Sequence, residues 1–192
     1  LYQLLLRSVL AEVPADAPLL ILPSESLYYV PFHALYDGQR YLIETHTVSY
    51  APSATVLTLA RQYRPIGEGM LLLGYGGEAL NEVAIEIATL GQLMPAAKQL
   101  CEQSATTQNF LSEISHYRFV HIATHAQFRV DKPILSSLAL ADRRLTLAEI
   151  AQLQLQAELV TLSGCETGHG QLHGDDLVSL AAGFLGAGAR SL

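Results

Sequence analysis

Two cysteines, Cys101 and Cys165, are all that the 192 residues contain. They are too few and too unpatterned for a disulfide framework, so a reducing, cytoplasmic setting is the default expectation. Basic residues are scarce as well: 11 Lys and Arg stand against 18 Asp and Glu, for a formal charge of -7. No basic run offsets that balance, which argues against the phosphate-attracting surface of a nucleic-acid binder. Charged residues make up only 15% and hydrophobic ones 50%, which excludes disorder and supplies a substantial core. Long apolar runs are missing too. The most apolar stretch, "LVSLAAGFLGAGA", is about thirteen residues, short of the roughly 18–20 that span a bilayer, so no membrane association is expected. Gln3 and Arg7 interrupt "LYQLLLRSVLA", which is therefore no signal peptide. Internal repeats and low-complexity segments are absent.

What is present reads as alternating strands and helices. Tyr2, Leu5, Leu6, Val9 and Leu10 fall at helical spacing and predict an amphipathic helix end over residues 1–12. "LLIL" (19–22) is a short apolar run that suits a buried strand, and "LYYVPF" to "YLIETHTVSY" reads as a hairpin excursion followed by a strand. Ser53 can cap a helix over about 54–63. "MLLLGYGG", "RFVHIATH" and "ELVTLS" are strands, and helices start near Asn81, Thr106 and Asp175. "SSLALADRRLTL" predicts a hairpin, and "TLAE" (146–149) a capping box. Strand–helix–strand alternation from Met70 onward implies right-handed crossovers and a mostly parallel sheet. The chain opens without methionine and stops at "GARSL" as a strand begins, so it is expected to be part of something longer.

Two strand ends carry reactive groups. "FVHIATH" delivers His125 just past its strand, and "LVTLSGC" delivers Cys165 just past another. In open α/β sheets the site lies beyond the carboxyl ends of the strands. If these two are neighbours, an imidazole and a thiol share one rim, an arrangement that suits nucleophilic catalysis. Glycines around Cys165 let a substrate backbone approach, and backbone N–H groups there can stabilise an oxyanion. The blander assignments go elsewhere. Cys101, after "AAKQL", reads as a buried small hydrophobe. His121 reads as a structural histidine within its strand, and His33 and His46 as structural without an obvious partner. Asp175 and Asp176 read as helix N-terminal stabilisers rather than selectors of a basic substrate side chain.

Two rival motifs compete. "GYGGEA" fits the dinucleotide pattern G-x-G-x-x-A, but no second strand is read that ends in an acid about twenty positions on. "CETGHGQLH" spaces Cys165, His169 and His173 four apart, as metal ligands could be, yet the glycines oppose the helix that would align them. No cofactor and no metal is expected.

Together, "HIATHA" and, forty residues later, "LVTLSGCETGHG…GDDLVSLAAGFLGAGARS" resemble the CHAT domain, a caspase-like relative of cysteine peptidases. "LLILPSESLYYVPFHAL", "YLIETHTVSYAPSATVL" and "LTLAEIAQLQLQAELV" extend the resemblance over almost the whole chain. It implies a caspase-like three-layer α/β sandwich over 13–192 with its C-terminal strand truncated. It also implies that the helix of residues 1–12 joins an N-terminal tetratricopeptide repeat array. By the same resemblance His125 and Cys165 form a catalytic dyad, and the backbone N–H groups of Cys165 and Ala126 hold the oxyanion. The implied function is a cysteine endopeptidase in bacterial signalling, acting on protein or peptide under a regulatory partner. A non-catalytic caspase-like interaction module is the alternative. Two departures stand out. Ala126 replaces a usual glycine, which puts oxyanion geometry in question, and Gly164 replaces a usual alanine, which is expected to loosen the turn.

Overall fold

The computed structural model describes residues 1–77, 81–129, 131–164 and 174–192. It divides into two compact units, Leu1–Ala54 and Thr55–Leu192.

In the first unit the expected single helix is two short ones, α1 (Tyr2–Leu5) and α2 (Arg7–Leu10). They meet at Leu6, whose φ of −118° leaves the helical range and whose side chain is buried with Phe32, Leu35 and Leu42. Val9, assigned to the apolar stripe, is exposed as a result of that break. Strand β1 (Leu19–Ile21) pairs in parallel with β2 (Val48–Tyr50). A two-stranded sheet here covers one face: Leu19 and Ile21 pack inward, while Leu20 is exposed. The reading of "LLIL" as fully buried is thereby corrected. Between the strands lie 3-10 turns at Glu25–Tyr29, Phe32–Ala34 and Leu42–Glu44. What survives of the expected hairpin is one antiparallel bridge, Tyr36↔Tyr41. Its loop is held by the Asp37 carboxylate, which accepts from the Gln39 and Arg40 N–H groups.

The second unit carries α3 (Ala54–Gln62), β3 (Met70–Tyr75), α4 (Asn81–Leu93), β4 (Lys98–Cys101), α5 (Thr107–Glu113) and β5 (Phe119–Thr124). There follow β6 (Ala126–Gln127), β7 (Ser137–Ala139), β8 (Arg144–Thr146), α6 (Leu147–Ile150), β9 (Leu159–Ser163) and α7 (Gly174–Gly186). Strands β4-β3-β5-β9 form one sheet in that order, every pairing parallel, as the alternation predicted. Period-two side-chain alternation then sorts the core. Leu71, Leu73, Val120, Ile122 and Val160 pack with Phe110 of α5, Ile150 of α6, and Leu180 and Phe184 of α7. Leu72 and Ala123, on the other face, pack with Val83 and Ile87 of α4. Helices therefore cover both faces, giving the mixed α/β architecture of a caspase-like fold.

Strand β4 was not foreseen. "KQLC" holds a single core residue, Leu100, and has no legible period; it is a strand because β3 offers it an edge to pair with. The hairpin read from "SSLALADRRLTL" is present as β7–β8, and β6 joins it as a third antiparallel strand. The capping box is present as well. Glu149 N–H donates to Thr146 Oγ1 at 3.4 Å, and Thr146 N–H donates to the Glu149 carboxylate at 2.9 Å. Among the described residues no helix is long and apolar enough to cross a membrane.

Candidate active site

Strands β5 and β9 are parallel neighbours with a constant register offset of forty residues, ending at Ala123↔Ser163. His125 and Cys165 each lie two residues further along the sequence from that last pair. Both strands are rich in Val, Ile, Leu and Thr, which suit a sheet covered on both faces. Cys165 lies outside the described residues, as do His169 and His173 of the rival metal reading. Asp175 and Asp176 fall in the first turn of α7.

The histidine side of the rim is built from backbone. Thr124, 2% exposed, has its hydroxyl 2.6 Å from the Ala139 carbonyl and 3.0 Å from the Tyr75 carbonyl. A hydroxyl has one proton to give, and the shorter contact ties the end of β5 to β7. The His125 carbonyl then accepts from Ala139 N–H at 2.8 Å. Main-chain position is thus fixed on both sides of an imidazole that is half-buried and, among the described residues, has no hydrogen-bond partner on its ring.

Ala126 pairs with Leu138. Because the hydrogen bond from Ala139 flanks that pair, Ala126–Leu138 is of the non-hydrogen-bonded kind, and the Ala126 N–H points away from β7. Its backbone needs no left-handed conformation: among the described residues only Asp16 and Glu102 are non-glycine positions with positive φ. Alanine in place of the family's glycine is therefore compatible with the strand conformation found here.

Gly164 also differs from expectation. A Cβ at this position would overlap the Thr124 carbonyl oxygen and stand 3.9 Å from Ala126 N. Glycine brings the two strand ends into close approach; it does not loosen them. Beneath them a cavity of about 30 Å³, room for roughly one water, is bounded by Thr124, Ala126, Phe128, Ser163 and Gly164.

The remaining residues singled out by sequence separate clearly. His121 is a bonded structural histidine, with Nδ1 2.7 Å from Thr161 Oγ1 and Nε2 2.9 Å from Glu86 Oε1. His33 has a partner after all, the Tyr50 hydroxyl, 2.9 Å from its Nδ1. His46 Nδ1 lies 2.9 Å from Thr45 Oγ1. Cys101 is half-buried against the α4 face, and burial, followed by the neighbouring Glu102 charge, pushes its thiol up. Such a thiol is a poor nucleophile.

Contrary to expectation, a second strand does follow the dinucleotide motif: β4 is succeeded directly by an acid, Glu102. Gly74 of that motif has a packing role: a Cβ there would meet Ile87 Cγ1 at 2.5 Å, so glycine lets α4 lie close on the sheet. Sequence reasoning missed Glu86. An acid at i+3 within the stripe Val83, Ile87 and Leu90 was the available signal.

Comparison with known proteins adds one finding. The family model described as the CHAT domain matches residues 1–192. A search of curated proteins returned no match.

Proposed function

The chain belongs to the CHAT domain family, a caspase-like group related to the cysteine peptidases, and from that premise we propose that it is a cysteine endopeptidase. Cys165 is the nucleophile and His125 the acid–base partner. The observation that carries this reading is the parallel pairing of β5 with β9, whose ends lead in equal steps to the two residues. The Cys165 thiolate attacks the scissile carbonyl carbon and forms a tetrahedral oxyanion, held by the N–H groups of Ala126 and Cys165. Collapse breaks the C–N bond as the His125 imidazolium gives its proton to the leaving amine. Water then attacks the thioester while His125 takes its proton, releasing the acid and restoring the thiol.

On this reading the substrate is a protein or peptide in the cytoplasm, and a regulatory partner engages the protein through tetratricopeptide repeats. Neither a metal nor an organic cofactor enters the chemistry. The test is covalent labelling of the full chain with a peptide electrophile, read by mass spectrometry at Cys165. Labelling and peptide cleavage are expected to vanish in Cys165→Ala. In His125→Ala they are expected to fall by about 100-fold or more, the scale of a lost acid–base group. Equal labelling of the wild type and both variants would refute the dyad. Retention of biological effect by Cys165→Ala would favour the non-catalytic alternative.

A further inference from the structure

The α4 face of the sheet carries a polar chain that the proposed chemistry leaves unused. His121, Thr161 and Ser163 project to the same face, since His121 registers with Thr161 and Ala123 with Ser163. Glu86 of α4 reaches both ends of it: Oε1 lies 2.9 Å from His121 Nε2, and Oε2 accepts from the Ser163 hydroxyl at 2.9 Å. The carboxylate thereby joins β5, four residues before His125, to β9, two residues before Cys165.

Hydrogen-bond capacity closes around this chain in either ring state. With a neutral ring, Nε2–H donates to Glu86 and Nδ1 accepts from Thr161 Oγ1–H at 2.7 Å. With a protonated ring, Nδ1–H donates to Thr161, whose own proton is then free for the Val120 carbonyl at 3.4 Å. The Glu86 side chain is 34% exposed, and both of its oxygens are partnered here.

We propose that Glu86 is a positioning residue, a cross-brace that sets the end of β9, and so the Cys165 thiol, against the end of β5. This rests on the peptidase reading. It acts through Ser163, whose hydroxyl its carboxylate holds. A misplacement of reacting groups by even 1 Å can cost about 100-fold, so a brace two residues from the nucleophile falls on the maximal rate rather than on binding.

The experiment measures inactivation of the full chain by a peptidyl chloromethyl ketone, separating maximal rate from half-saturating concentration. Amide hydrogen exchange over residues 159–164 is followed in parallel. Glu86→Ala and Ser163→Ala are each expected to slow the maximal rate about tenfold, with half-saturation unchanged within about twofold. The double variant is expected to be no slower than the slower single one, because the Glu86–Ser163 contact is already gone in each. Glu86→Gln, which keeps an oxygen for Ser163, is expected to recover most of the rate, and exchange is expected to accelerate in Glu86→Ala. A reactive wild type with an equally fast Glu86→Ala overturns the brace and leaves the peptidase reading standing. So do losses that multiply in the double variant. A wild type inert to the electrophile sinks the peptidase reading and the thiol role with it. Should Glu86→Ala not fold, Ser163→Ala and Glu86→Gln decide the matter by the same rates.

Discussion

Gly164 has no room for a side chain against the Thr124 carbonyl, and Thr124 commits its own hydroxyl to the Ala139 carbonyl. These two small residues set how the strand ends meet. Thr124→Val keeps the shape and removes the donor, leaving a buried carbonyl without its partner. The expected loss is about 1–3 kcal/mol of stability, measured by urea unfolding. His125 and Cys165 were legible from sequence as candidates because each comes shortly after an apolar, strand-like run. The polar neighbours were not. Glu86 sits 77 residues from Ser163 in the chain, and only the register of β5 and β9 brings its partners to one face.

At the scale of the element, helix α4 lies close on the sheet because position 74 is glycine. Gly74→Ala would drive a methyl against Ile87 Cγ1, on a side chain that is 3% exposed. A loss of about 1–3 kcal/mol is expected, of the kind caused by overpacking. Ile87→Ala in the same chain removes the colliding atom, so the two changes should cost less together than their sum. A second prediction concerns the cap of α6. Glu149 is held down to about 2 from 4.5, first by Arg143, then by the Thr146 N–H and hydroxyl. A depressed carboxylate contributes stability above its unfolded value that is lost as pH falls through the folded one. Wild type and Glu149→Gln should therefore differ most above about pH 4.5 and converge toward pH 2, measured by thermal unfolding across that range. The capping box was readable in advance because it is local, four residues long. Strand β4 was not, since its residues lack a period and its existence depends on the β3 edge.

Over the whole molecule, the larger unit rests on a sheet covered on both faces, and its stability should concentrate where helices meet that sheet. Phe184 of α7 is 0% exposed, whereas Leu93 at the end of α4 is 70% exposed. Phe184→Ala is expected to cost about 3–5 kcal/mol, and Leu93→Ala within about 0.5 kcal/mol of nothing, both by urea unfolding. Similar losses for the two would mean that the helix layer carries little of the core.

By itself the sequence determined the class of the fold, the strands and helices beyond Met70 other than β4 and β6, and the family, because apolar periodicity and motif order are properties of neighbours along the chain. It also named His125 and Cys165 as candidates, since they come one and two residues past the ends of β5 and β9. The tertiary structure alone decided that β5 and β9 lie side by side, that Gly164 is pressed onto Thr124, and that Glu86 spans both strands. Those are relations between residues 35 or more positions apart, and pairing across a sheet leaves no periodic trace in either partner.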